Sequence, residues 1–132
     1  MNDIKLMNKA ADNIRILAAS MVEKAKSGHP GGAMGGADFV NVLFSEFLVY
    51  DPKNPAWEGR DRYFQDPGHM SPMLYSVLAL AGKFTIDELK EFRQWGSVTP
   101  GHPEVNVMRG IENTSGPLGP VSYTHLRAHE TK

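Results

Sequence analysis

A long stretch with helical periodicity, residues 4–26, most constrains what this 132-residue chain can fold into. Its apolar side chains recur every three to four residues along one face, at residues 6, 7, 10, 11, 14, 17, 18, 21, 22 and 25. Gly28 follows at the position where a helix end is expected. We therefore expect a helix over residues 5–26.

Three further segments carry helix signals, and we expect helices over residues 36–48, 72–81 and 86–95. The first is apolar around most of its circumference, which is typical of a buried helix. Ser71 followed by Pro72 resembles the N-cap and first position of a helix. Thr85 with Glu88 three residues later predicts a capping box.

Strand signals are scarce. The aromatic segment 61–65 is a short strand candidate. Residues 96–120 hold five glycines and four prolines, so we expect them to run as loop. The last residues, "VSYTHLRAHETK", have no sustained helical or strand pattern.

Composition excludes several classes of function. The chain is 41% hydrophobic and 22% charged, as in ordinary globular domains. A net charge of −1 without a basic cluster argues against nucleic-acid binding. There is no cysteine, so no disulfide or thiolate metal site can form. The apolar runs are far shorter than the roughly 20 residues that span a bilayer, and we expect a cytoplasmic protein with no membrane partner.

Three histidines each follow a glycine in a proline-containing loop: His29 in "SGHPGG", His69 in "DPGHMSP" and His102 in "TPGHPEV". Glycine lets another molecule approach the backbone, and imidazole can donate a hydrogen bond to an oxyanion or carry a proton. Together the loops would form a pocket for a phosphate-bearing or polyhydroxylated ligand. Simple turns are the alternative, and so is a three-histidine zinc site, although spacings of 40 and 33 residues match no ligand signature.

Four segments resemble, in order and spacing, the N-terminal motifs of transketolase: "SGHPGGAMGGAD", "GRDRYFQDPGHMSPMLY", "TPGHPE" and "ENTSGPLG". The resemblance covers residues 1–119. It implies an α/β fold, the N-terminal part of a thiamine diphosphate-binding domain, mostly helical in the portion present. We expect residues 120–132 to be a tail outside the family pattern, either artefactual or disordered.

The resemblance also implies a reaction and a site. Transketolases pass a two-carbon ketol unit from a ketose phosphate to an aldose phosphate, a step of the pentose phosphate pathway. They act as homodimers, with thiamine diphosphate held by Mg²⁺ or Ca²⁺. By this resemblance His29 and His102 are catalytic and substrate-binding. The implied cofactor-binding residues are His69, Gly116, Pro117 and Leu118.

No metal ligand is assigned to this chain. The family's Gly-Asp-Gly metal motif lies beyond the position of residue 120 and is absent from the 132 residues. We therefore expect the 132-residue polypeptide alone to be inactive and to bind no thiamine diphosphate. Two alternatives stay open: another enzyme of this cofactor, such as 1-deoxyxylulose-5-phosphate synthase or a split transketolase subunit, and a non-catalytic binding module. The proline after His29, together with "GHPE", favours transketolase over the synthase.

Overall fold

A computed structural model describes residues 2–116; Pro117, Leu118 and the expected tail lie outside them. The first helix, α1, spans Ile4–Ala25 and confirms the helix predicted from periodicity. The Asp3 side chain caps its start by accepting a hydrogen bond from the Lys5 N–H at 2.9 Å. Lys26 ends it in left-handed backbone, with φ 51°. The buried face is narrower than predicted, since Leu6 is exposed, and it consists of Ala11, Ile14, Ala18 and Met21.

The next helical region starts earlier than expected and is interrupted. It consists of α2 at Pro30–Gly35, α3 at Ala37–Val42 and a π-helical turn at Leu43–Phe47. The prediction of a helix over 36–48 missed α2, whose glycines resemble a loop in sequence. Pro30 suits a first helical position because its φ is already fixed. The glycines allow close packing: a Cβ on Gly36 would stand 2.6 Å from the Met73 sulfur.

Helix α4 spans Ser71–Leu80, close to the predicted 72–81, and residues 71–78 are all buried. Ser71 is not its N-cap, contrary to the prediction. A 3₁₀ turn over Gly68–Met70 leads directly into the helix, and the Ser71 hydroxyl instead donates to the Gly101 carbonyl at 2.7 Å.

Helix α5 spans Ile86–Lys90 and starts with the predicted capping box. Thr85 Oγ1 accepts from the Glu88 N–H at 3.2 Å, and Glu88 Oε2 accepts from the Thr85 N–H at 2.8 Å. The helix ends before residue 95, where the prediction placed its end. The chain turns instead, and Arg93 adopts left-handed backbone with φ 62°.

No strand forms at residues 61–65, so that prediction was wrong. The backbone groups there bond to scattered partners rather than to one neighbouring strand. The Asp61 N–H donates to the Val49 carbonyl at 2.8 Å, and the Gln65 N–H donates to the Asn113 side-chain oxygen at 3.2 Å. Single bonds of this kind fix an extended segment without forming a ladder.

From residue 96 to residue 116 the chain is mostly loop, as expected. A 3₁₀ turn at Val107–Arg109 lies between Asn106 and Ile111, which form an isolated bridge. A buried ion pair fastens this region to the rest of the chain. Arg60 Nε and Nη2 donate to the two Glu112 oxygens at 2.6 and 2.9 Å, and both side chains are 8% exposed.

The core forms where α1 packs against α2, α3 and α4. The buried Tyr75 ring on α4 extends it, lying 5.4 Å from the Phe84 ring and 6.3 Å from the Phe92 ring between centroids. None of the helices within residues 2–116 is long and apolar enough to cross a bilayer.

Candidate active site

His29 lies at the junction between the first two helices. Gly28, with φ +132°, turns the chain after α1. His29 then takes an extended conformation as the N-cap of α2, and Pro30 begins the helix. The imidazole is therefore held between two helix ends, with its backbone fixed on both sides.

His69 lies in the 3₁₀ turn that leads into α4. Its Nδ1 atom is buried and has no hydrogen-bond partner among residues 2–116. Gly68 before it has no room for a side chain, since a Cβ there would stand 2.7 Å from Ser115 Oγ. Because a buried polar atom without a partner is unfavourable, His69 Nδ1 marks a place where packing alone does not explain the side chain.

The loop that carries His102 is fastened by hydroxyl groups. Tyr75 donates to the Pro100 carbonyl at 2.8 Å, and Ser71, one turn earlier on α4, donates to the Gly101 carbonyl at 2.7 Å. Thr99 Oγ1 donates to the Glu88 carbonyl at 3.0 Å. The backbone on both sides of Gly101 is thus held against two helices, while the His102 ring is exposed.

The three histidines meet at one place. The rings of His29 and His69 pack edge to face, with centroids 4.8 Å apart and planes inclined by 66°. His102 approaches the same turn, because a Cβ on Gly68 would stand 3.0 Å from its Cδ2 atom. Three segments far apart in sequence therefore bring imidazoles to one surface of the domain.

The surroundings of His102 favour its neutral form. Partial burial lowers the pKa of His102, and the positive charges of Arg93, His69 and His29 lower it further. A neutral imidazole has one N–H donor and one acceptor nitrogen, so it can both donate to a ligand oxygen and take up a proton.

Comparison with known proteins identifies the fold that holds these histidines. Residues 6–124 match the family model described as "Transketolase, thiamine diphosphate binding domain". The chain belongs to the transketolase family. A transketolase of Buchnera aphidicola is 53% identical over 115 residues, and transketolase 1 of Escherichia coli is 52% identical over 110 residues. These matches cover 86% and 83% of this chain.

Solved transketolase structures have the same fold. That of Campylobacter jejuni matches with a TM-score of 0.83 at 47% identity over 89% of this chain. That of Pichia stipitis, in complex with sedoheptulose-7-phosphate, matches with a TM-score of 0.81 at 45% identity over 86%. The chain spans 17% or 18% of the length of these four relatives. The expected fold, the N-terminal part of a transketolase domain, is therefore confirmed.

The other expected site residues are described only in part. Gly116 is exposed and follows Ser115, whose hydroxyl packs against Gly68 and whose N–H donates to the Pro103 carbonyl at 3.0 Å. Gly116 is thereby adjacent to the histidine cluster, whereas Pro117 and Leu118 lie outside the described residues. Within residues 2–116, the structure contains no group of three or more acidic, histidine or cysteine side chains that could hold a metal ion.

Sequence reasoning missed two residues of this site. Arg93, expected in a helix, lies between the loops of His29 and His102, and its Nη1 donates to Ser27 Oγ at 2.9 Å. Ser115 packs against the turn that carries His69. The sequence gives no local signal for either contact, since both join segments that are distant along the chain.

Proposed function

We propose that this chain forms the histidine-lined part of a transketolase active site. The reaction is transfer of a two-carbon ketol unit from a ketose phosphate to an aldose phosphate in the pentose phosphate pathway. The convergence of His29, His69 and His102 on one surface carries this proposal. We further propose that the chain works in the cytoplasm, within a homodimer.

Sugar phosphates are the proposed substrates. The matched Pichia stipitis transketolases were solved in complex with sedoheptulose-7-phosphate, fructose-6-phosphate and xylulose-5-phosphate. Imidazole groups suit such ligands because each can donate to one oxygen and accept from another. A cleft of about 690 Å³ opens beside His102 and is lined also by Arg93 and Ser27, whereas His29 and His69 do not line it.

The described residues fit the diphosphate end of thiamine diphosphate. His69 Nδ1 is enclosed by protein, so the ring can meet a ligand only through the edge that carries Nε2. The Nε2–H is therefore the hydrogen-bond donor that His69 can offer to a ligand. His69 would then donate this N–H to a phosphate oxygen. We propose Mg²⁺ or Ca²⁺ as the accompanying cation, with ligands beyond residues 2–116.

His29 and His102 are proposed to act on the substrate. When bound, thiamine diphosphate supplies the nucleophilic carbon of ketol transfer. His102, kept neutral by its surroundings, donates to the carbonyl end of the donor sugar and can take up a hydroxyl proton. His29, whose ring packs against that of His69, hydrogen-bonds the substrate hydroxyls and assists the same proton movement.

A hybrid enzyme tests the function. Residues 6–116 replace the matching N-terminal segment of Escherichia coli transketolase 1, and ketol transfer is measured with xylulose 5-phosphate as donor. We expect activity that depends on thiamine diphosphate and on a divalent cation. His29→Ala and His102→Ala should each lower kcat/KM by about 100-fold, the lower range for general acid–base groups. His69→Ala should raise the half-saturating cofactor concentration by about tenfold, equivalent to about 1.4 kcal/mol.

The control is Lys90→Gln, which removes an exposed positive charge on α5 and should leave all these values unchanged. A folded hybrid that binds thiamine diphosphate yet transfers no ketol unit would refute the proposed activity. It would favour the alternative of a non-catalytic binding module.

A further inference from the structure

Arg93 adopts a backbone conformation that its side chain disfavours. Its φ of 62° lies in the left-handed region, which is strained for a residue other than glycine. The turn itself needs only the Arg93 N–H, which donates to the Thr99 carbonyl at 3.0 Å. Glycine could make that bond without strain, so the arginine side chain needs a separate explanation.

That side chain lies between the glycines that precede His29 and His102. A Cβ added to Gly101 would stand 2.8 Å from Arg93 Nε and 3.1 Å from its Cζ. A Cβ added to Gly28 would stand 3.6 Å from the same Nε. Both loops therefore contact the Arg93 side chain at a glycine, where they have no side chain of their own.

Polar and aromatic contacts fix the guanidinium. Its Nη1 donates to Ser27 Oγ at 2.9 Å, and its Cζ lies 5.7 Å from the centre of the Phe92 ring. The Nε atom is buried and without a hydrogen-bond partner among residues 2–116. Burial of a charged group is costly unless other contacts compensate for it. The bond to Ser27 and the contact with Phe92 supply that compensation.

Resting on the proposed function, we infer that Arg93 is a positioning residue, whose side chain holds the loops 27–29 and 99–102 at a fixed separation so that His29 and His102 face one ligand. The positive charge of Arg93 has a second effect on the site. It contributes to the lowered pKa of His102 and so favours the neutral imidazole. Among residues 2–116, the other charged or titratable groups near His102 are His29, His69 and Glu104.

Three substitutions separate the roles of backbone, charge and shape. Arg93→Gly relieves the left-handed strain and removes the side chain. Arg93→Lys keeps the charge but loses the planar fork, and Arg93→Gln loses the charge. Lys90→Gln, three residues earlier, is the matched control for loss of one positive charge.

The first measurement uses the 132-residue chain and needs no activity. Imidazole titration by NMR should show the His102 midpoint rising toward its ordinary value in Arg93→Gln and Arg93→Gly, but not in Arg93→Lys or Lys90→Gln. Backbone amide relaxation should show lower order parameters in residues 27–29 and 99–102 in all three Arg93 variants, and unchanged ones in Lys90→Gln. If Arg93→Gly leaves the order parameters of both loops unchanged, the arginine side chain does not hold them and the inference is wrong.

The second measurement uses the hybrid enzyme. Arg93→Gln should lower kcat about tenfold with a smaller change in the cofactor concentration for half-saturation, and the acid limb of its pH profile should move upward. Because Arg93→Lys keeps the charge, the acid limb of its pH profile should match that of the parent. Its kcat should recover only in part. Equal kcat in Arg93→Gln and Lys90→Gln would overturn the positioning role. If the hybrid with Arg93 intact is inactive, the proposed function fails, whereas the NMR results on the 132-residue chain still decide the inference.

Discussion

Replacing Tyr75 by phenylalanine isolates the hydroxyl group that fastens the His102 loop to α4. The Tyr75 ring is fully buried against Phe84 and Phe92, and phenylalanine keeps that packing. The substitution removes only the hydrogen bond of 2.8 Å to the Pro100 carbonyl. Any effect therefore reports on the anchoring of the loop.

The magnitude follows from the geometry of this bond. A neutral hydrogen bond contributes about 1 kcal/mol, and an acceptor left buried without a partner costs about 1–3 kcal/mol. Pro100 is only half-buried, so water can reach its carbonyl and the lower part of the range applies. We expect Tyr75→Phe to lower the free energy of unfolding by about 1–2 kcal/mol, which corresponds to a Tm decrease of roughly 4–8 °C for a chain of this size.

Urea and thermal unfolding of the 132-residue chain, followed by circular dichroism, measure this change. Tyr63→Phe is the matched control, because its hydroxyl makes only a 3.3 Å contact with the nearby Gln65. We expect a change below about 0.5 kcal/mol there. Equal effects of the two substitutions would show that the loop is not anchored through Tyr75.

The same variant has a consequence at alkaline pH. Burial raises the pKa of Tyr75, and the negative charge of Glu104 raises it further. The unfolded chain loses the phenol proton from about pH 10 upward, whereas the folded chain resists. The stability that Tyr75 contributes is therefore complete below pH 10 and declines above it. Tyr75→Phe should flatten part of this decline above about pH 10, as measured by urea midpoints.

Two further predictions concern the site and the acid limit of stability. Gly68→Ala should destabilise the chain by about 1–3 kcal/mol and shift the His102 imidazole signals in NMR, because its Cβ would stand 2.7 Å from Ser115 Oγ and 3.0 Å from His102 Cδ2; unchanged stability would contradict this packing. The hydrogen bond from Arg109 is the main cause that lowers the pKa of Glu88 to about 2. Stability from this group is thus present above about pH 4.5 and is lost as pH falls toward 2, so Arg109→Gln should reduce the loss between pH 7 and 3 by about 1 kcal/mol after solvent screening. If the urea midpoint falls by the same amount between pH 7 and pH 3 in Arg109→Gln and in the parent, that assignment is wrong.

Local signals in the sequence were sufficient for most helices. The repeat of apolar residues predicted α1, and the Thr85–Glu88 capping box predicted the start of α5, because both depend on residues within one or two turns. The end of α5 was misplaced because its helical pattern continues to residue 95. Beyond Lys90 the chain turns, and the Arg93 N–H donates to the Thr99 carbonyl, six residues later, instead of continuing the helix.

The glycines marked the three histidine loops, and close approach of a ligand to their backbone stays a prediction. In the folded chain Gly28, Gly68 and Gly101 also make room for side chains of the chain itself, among them Arg93 and Ser115. Such contacts join residues far apart in sequence, and no spacing rule predicts them.

Helix α4 explains why three separate loops meet at one surface. Its first turn follows directly from the turn of His69, and its Ser71 and Tyr75 hydroxyls hold the backbone of the His102 loop. On the other side, the missing side chain of Gly36 allows Met73 to approach and brings α2 close. Because this one buried helix contacts α2, the turn of His69 and the loop of His102, a shift of α4 would move the imidazoles together. A change in a single loop would move one of them relative to the others, which is why the loop contacts of Arg93 matter to a ligand that spans two histidines.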